Sequence, residues 1–242
     1  MKIDIAINSS DSNPLYLDFW PSVSKTWRKL NIDPVLLYIA DDYETASISE
    51  EYGMVIRIKP IQTIPVYLQC QTIRYWYATQ LGGKVGIISD IDMYPMSNFY
   101  FNTQLESIPN DKYVHLNPCS ENIPACYHIA SGNVYSKVLG SVDFGTYIDK
   151  ALLFSKGINT RYEDKEHWSV DEVYSTMLIN NYEDKSIFHF IPRDGGQNGH
   201  RIDRAFWRYN KGLISQGYYY DAHSIRPFAK HSGELNELLN ML

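Results

Sequence analysis

Cysteine is scarce in this chain: Cys70, Cys119 and Cys126 are the only three. With no metal-ligand spacing among them, they exclude a disulfide framework and a thiolate zinc site. No run of 18 apolar residues is present, so no segment reads as a membrane-spanning helix. The opening MKIDIAINSS alternates apolar and polar residues, unlike a signal peptide, and a cytoplasmic protein is expected. Basic residues are outnumbered: 22 Lys and Arg face 28 Asp and Glu, a formal charge of -6. A general nucleic-acid binder needs a basic surface, so that class is excluded. A nucleotide ligand is not excluded, because a metal can neutralise its phosphates. No Pro/Gly/Ser linker, charge block or repeat divides the 242 residues, and one domain over 1–242 is expected.

What the chain has in quantity is tyrosine, 20 residues of it. Most should pack in the core, while some aromatic groups can serve stacking. Trp168 and Trp207 are candidates for an acceptor platform. Strand and helix patterns alternate through the first half. Ile3, Ile5 and Ile7 mark a strand ending at Asn8, Ser9 and Ser10. A helix is expected over 17–30, and a nearly continuous apolar strand over 35–39 runs into Asp41 and Asp42. A third strand follows at 55–58, then a long helix over 66–81 carrying Arg74. In the second half, a short helix is expected over 98–108, strands over 113–116 and 128–135, and helices over 142–154 and 170–179. A strand at 187–190, a Gly-rich loop over 192–199 that would suit a lid, a helical or turn-like stretch at 201–209, an irregular 218–228 and a helix over 234–242 complete the reading. This order predicts an α/β fold, an α/β/α sandwich around a mostly parallel sheet with a Rossmann-like first half. Ligands of such sheets bind beyond the carboxyl ends of the strands.

The stretch VGIISDIDMYPM organises the rest. Val85, Ile87 and Ile88 read as a buried strand that delivers Asp90 and Asp92 to its end. Residues two apart on extended backbone point the same way. Two such carboxylates repel each other unless a cation lies between them, and a divalent metal with phosphate oxygens fits. Two turn-capping aspartates on a surface loop are the alternative.

ISDIDMYPM resembles the Asp-x-Asp segment of glycosyltransferases of the GT-A fold, and the order of elements matches over about residues 1–225. The compact layout is most similar to the single-domain glycosyltransferases of large algal viruses. The resemblance implies a donor and metal half over about 1–96 and an acceptor half over about 97–242. It implies Mn²⁺ or Mg²⁺ on Asp90 and Asp92, with His223 as third ligand, holding the diphosphate of a nucleotide-sugar. Asn8, Ser9 and Asp41 would then line the nucleotide, although Ser, Asn and Asp also cap turns routinely. Arg74 would brace Asp90 or reach the nucleotide. Ser131, Gly132 and Asn133 would lie beneath the donor sugar, or else form a strand bulge. WSVDE places Asp171 and Glu172 at a helix start. Ser169 and Glu172 have capping-box spacing, which leaves Asp171 as the expected base and Glu172 as the second choice. The function implied is metal-dependent, inverting transfer of a sugar, with UDP-glucose the favoured UDP-sugar, to a glycan hydroxyl. A non-catalytic carbohydrate-binding or scaffold protein of the same fold and a sugar nucleotidyltransferase are the rivals. The nucleotidyltransferase would want a Gly-rich basic loop where this chain has NSSDSNP. A metal-dependent phosphodiesterase would want more His and Asp at ligand spacing.

Overall fold

The computed structural model describes residues 1–118, 123–156, 158, 167–196 and 198–242. The first half builds β1 (Ile5–Ser10), α1 (Pro14–Leu17), α2 (Trp20–Lys29), β2 (Asp33–Ile39), β3 (Met54–Ile58), α3 (Val66–Ala78), β4 (Val85–Ile88) and β5 (Met93–Pro95). The second half adds α4 (Asn98–Phe101), β6 (Tyr113–Leu116), β7 (His128–Ser131), α5 (Gly132–Leu139), α6 (Phe144–Ser155) and α7 (Val170–Asn181). It ends with β8 (Phe188–Ile191), β9 (Arg201–Asp203), α8 (Lys211–Ser215), β10 (Asp221–His223) and α9 (Phe228–Met241).

Seven strands form one sheet in the order β3-β2-β1-β4-β7-β6-β8, with β7 alone antiparallel to its neighbours. Both halves of the chain therefore contribute to one mostly parallel sheet. The apolar run of β2 fits its interior place between β3 and β1. Leu36 and Tyr38 pack into the core on one face, and Val35, Leu37 and Ile39 into the core on the other. A strand covered on both faces needs no polar alternation. The first core is closed by α2 and α9, through Trp20, Trp27, Leu235 and Leu238. The second is closed by α3, α5, α6 and α7, through Ile73, Val134, Ile148 and Tyr174 among others. A second, three-stranded sheet runs β5-β10-β9, with β10 antiparallel to β5 and parallel to β9.

Several expected boundaries move. The helix expected over 17–30 is two, α1 and α2, because Pro21 sits in the first turn of α2, where a missing N–H is harmless. The strand expected over 128–135 stops at Ser131 and turns directly into α5. Gly132 forces that turn: its N–H bonds to the Lys84 carbonyl, and a Cβ there would come within 2.3 Å of the Gly82 nitrogen. The stretches read as turn-like at 201–209 and irregular at 218–228 contain β9 and β10. The terminal helix begins at Phe228, directly after Pro227. Among the described residues no helix is long and apolar enough to cross a membrane.

Candidate functional site

A cavity of about 350 Å³ opens at the carboxyl ends of β1 and β4, between α3, the start of α7 and the β9–β10 pair. In α3, Tyr67, Cys70, Gln71 and Arg74 stand at i, i+3, i+4 and i+7, so one helix face lines the cavity. Ser9 reaches it from the end of β1 and donates its hydroxyl to the Cys70 carbonyl. Asp90 and Asp92 follow β4 and complete the floor.

Arg74 is 5% exposed and lies between two carboxylates. Its Nη1 donates to Asp90 Oδ1 and, at 3.0 Å, to the Ser89 carbonyl. Its Nη2 donates to Asp171 Oδ2 at 3.0 Å. The Asp90 side chain is 40% exposed to the cavity, and its backbone N–H faces Cys126 Sγ at 3.3 Å. Burial opposes its charge, but Arg74 and the Cys126 contact outweigh that and hold the carboxyl down at about 2. Asp171 has both oxygens engaged, since Oδ1 accepts the Glu172 N–H at 3.0 Å. Burial pushes its carboxyl up, with Arg74 opposing.

The expected capping box does not form. Among the described residues Ser169 makes no side-chain bond to the start of α7, and Glu172 Oε1 instead accepts the Ala125 N–H at 3.1 Å. The loop after β6 offers that donor, and the carboxylate takes it in place of its own helix end. Burial and the charge of Asp171 then push Glu172 up to about 7. The residue read as structurally occupied thus has the proton affinity of a neutral-pH acid–base group, and the one read as the base is pinned.

On the other side, Asp92 is 4% exposed and its Oδ2 accepts from Arg204 Nη1 at 3.0 Å. Arg226 Nε lies 3.5 Å and His223 Nε2 3.6 Å from the same oxygen. Burial works against the Asp92 charge, and His223 and Arg226 together outweigh it, so its carboxyl stays below the ordinary range. His223 Nδ1 in turn faces Asp203 Oδ2 at 3.7 Å. Two arginines, Arg193 buried and Arg201 largely so, support this edge. Arg193 and Arg201 each grip the fully buried Asp221 with two N–H groups, and Tyr127 donates its hydroxyl to the same carboxylate. Asp221 thereby fixes β10 two residues before His223.

Asp90, Asp92 and His223 share the cavity wall, and two carboxylates with one imidazole are a chemically sound donor set for Mn²⁺ or Mg²⁺. The part-exposed Asp90 carboxylate, with one oxygen taken by Arg74, and the adjacent Asp92–His223 pair are compatible with a cation supported partly by a ligand's oxygens. Among the described residues, no three His, Cys, Asp or Glu side chains converge closely enough to hold one unaided.

Other expected residues are placed differently. Asn8 is fully buried, donates Nδ2 to the Ala6 carbonyl and does not line the cavity; its neighbours Ser9 and Ser10 do. Asp41 lines an adjoining cavity of about 370 Å³ with Asp42 and Ser12, and Asp11 belongs to both walls. Ser131, Gly132 and Asn133 are not brought to the site. Ser131 pairs with Val85 at the start of β4, the end opposite Asp90, and Asn133 donates its N–H to the Gly82 carbonyl. Trp168 lines the cavity, whereas Trp207 packs against the core. Cys119 and Gln197 of the 192–199 loop lie outside the described residues. Arg204, Arg226 and Asp203 were missed, although the first two are basic residues lying within three positions of a strand end. That signal becomes visible only once β9 and β10 are known.

No family model matches the chain, and no curated protein does. Solved structures do. The glycosyltransferase GlyE of Streptococcus pneumoniae TIGR4 matches with a TM-score of 0.51 and 12% identity, over 93% of this chain and 55% of that one. The galactosyltransferase LgtC, solved with donor and acceptor sugar analogs, matches with a TM-score of 0.50 and 12% identity, over 98% of this chain and 96% of that one. An active-site mutant of LgtC gives 0.50 and 9% over 98% and 94%. This chain has their fold. It is the GT-A arrangement of a mostly parallel sheet between helical layers, and the chain spans about half the length of GlyE.

Proposed function

We propose that this chain is a glycosyltransferase that moves a sugar from a nucleoside-diphosphate sugar to a glycan hydroxyl. A UDP-sugar is the donor we favour, UDP-glucose first, and the transfer is inverting. The observation that carries the reading is the cavity itself. It sets cationic groups around Asp92 within reach of the Asp90 carboxylate, and it sets Glu172, whose proton affinity suits neutral pH, on the same wall. The fold shared with GlyE and LgtC supports it.

Arg204 and Arg226 would meet the diphosphate oxygens by charge-assisted hydrogen bonds. Asp90, Asp92 and His223 would hold a divalent cation, which supplies positive charge against the leaving diphosphate. Arg74 holds Asp90 ionised and in place, and Asp171 holds Arg74. The acceptor oxygen bonds to the anomeric carbon as the anomeric bond to the diphosphate breaks. That electron pair leaves with the nucleoside diphosphate, and the hydroxyl proton passes to Glu172. Asp41 and Ser9 would border the nucleoside.

Calorimetric titration of the full chain against UDP, GDP, CDP and dTDP, with and without Mn²⁺, tests the reading. Tightest binding to UDP, strengthened by Mn²⁺ and reversed by EDTA, is expected. A preference for GDP would overturn the donor. Indifference to Mn²⁺ would remove the cation, and failure to bind any nucleotide would sink the function.

A further inference from the structure

The cavity has an aromatic portion that phosphate chemistry does not use. We propose that Tyr67 and Trp168 form an acceptor subsite for a pyranose ring, an inference that rests on the glycosyltransferase reading above. The two rings stack with centroids 6.0 Å apart and planes 29° from parallel, and both line the cavity while partly buried. Gln71, one turn along α3 from Tyr67, donates Nε2 to the Trp168 carbonyl and so ties the indole segment to the helix. The pair is therefore set by α3 and not by a loop alone.

Its position follows from the fold. Helix α3 returns from the end of β3 to the start of β4, so it runs against the parallel strands. Its first turn lies at the carboxyl edge of the sheet, and Arg74 lies deeper. Seven residues separate Tyr67 from Arg74, about 10 Å along the helix axis. The aromatic pair thus stands toward the mouth and the Asp90 anchor toward the floor. Glu172, in the first turn of α7, lies four residues after Trp168 and lines the same cavity. A group entering from solvent would meet the rings first and present a hydroxyl to Glu172.

A pyranose ring matches that surface. Its C–H groups form an apolar face that a stacked pair of aromatic rings removes from water. Its rim of hydroxyls suits the polar groups close by, among them Ser169 and Glu172. Of the other exposed or partly exposed aromatic groups near the site, Tyr16 lines the cavity with the Arg226 guanidinium over its ring, Trp207 packs against the core and Phe206 stands outside the cavity wall.

Ligand-observed NMR saturation transfer on the full chain tests the subsite with methyl β-glucopyranoside, methyl β-galactopyranoside and uridine as probes. At least one glycoside should receive saturation at its ring C–H protons. Trp168→Ala should weaken its binding roughly five- to ten-fold, while Trp168→Phe should retain it. UDP affinity should stay within about two-fold in both variants. Equal glycoside binding by wild type and Trp168→Ala overturns the proposal, as does binding of neither glycoside. Loss of uridine contact in place of glycoside contact would reassign the rings to the donor base and also overturn it. A wild-type chain that binds glycoside but no nucleotide would leave the subsite standing and remove the glycosyltransferase reading.

Discussion

On the α3 and α7 side of the cavity, three carboxyl groups, Asp90, Asp171 and Glu172, lie near one guanidinium, Arg74, which bonds Asp90 and Asp171 and leaves Glu172 to the Ala125 N–H. On the β9 and β10 side, two guanidinium groups, Arg204 and Arg226, converge on one buried carboxylate, Asp92. The first cluster is short of positive charge, whereas around Asp92 itself guanidinium groups outnumber carboxylates, Asp203 lying beyond His223. Within the first, Arg74 is close enough to hold Asp90 charged, while burial, and after it the charge of Asp171, raises the Glu172 carboxyl to about 7. Within the second, the surplus points arginines at the cavity. Under the proposed function one side would exchange a proton and the other would hold an anion. The same contrast says which substitutions should matter for which step.

The largest effect is expected from the side short of positive charge. Glu172→Gln keeps the shape and an oxygen for the Ala125 N–H, and removes the proton acceptor. Transfer should fall by roughly 10²–10⁴, with nucleotide affinity little changed. The wild-type rate should rise with pH through about 7 as Glu172 ionises, and the variant should lose that limb. Stability carries the opposite sign. The folded chain keeps the Glu172 proton at pH values where the unfolded chain, with an ordinary value of 4.5, has released it. This group therefore lowers stability as pH rises from 4.5 towards 7, and denaturant titrations of the variant should lack that slope. An unchanged transfer rate in Glu172→Gln would take the residue out of the mechanism.

A smaller effect belongs to the side with surplus charge. Arg226 is held over the Tyr16 ring, 5.0 Å from its centroid, so its head group is already placed. Arg226→Gln should weaken UDP binding roughly 10- to 100-fold, the worth of a hydrogen bond to a charged group. It should also flatten the salt dependence of that binding. Wild-type affinity in the variant would show that the surplus serves Asp92 alone.

The two sides also differ in how far the sequence discloses them. The α3–β4 side was legible. Parallel strands buried on both faces write continuous apolar runs, as at 35–39 and 85–88, and Asp90 and Asp92 can be placed from those runs; Arg74 follows from the helix pattern before them, and its role from resemblance. The β9–β10 side was not. A three-residue strand carries no period, so 201–209 and 218–228 read as turn or irregular chain. Arg204, Asp203 and Arg226 went unnoticed with them, and His223 was reached only through resemblance. Gly132 was misread for a different reason. A glycine required by the approach of the Leu81–Gly82 backbone looks, in sequence, the same as one that opens toward a sugar.

Ser169 gives the smallest effect and tests the one place where a local rule misled on the legible side. Ser-x-x-Glu before an apolar run predicts two reciprocal cap bonds, and loss of such a cap costs about 0.5–2 kcal/mol. Here Ser169 has φ -103° and ψ 28°, away from the extended conformation that usually aims a capping side chain at its helix. The Glu172 carboxylate has gone to Ala125, across the cavity wall from its own helix end. Ser169→Ala should therefore shift stability by no more than about 0.5 kcal/mol, the range of an uncapped surface position. Urea unfolding reads this as an unchanged midpoint at an unchanged slope. A loss above about 1 kcal/mol would mean that the box forms in solution. Glu172 would then be a capping residue after all, and the negative side of the cavity would have only Asp171 left to take the proton.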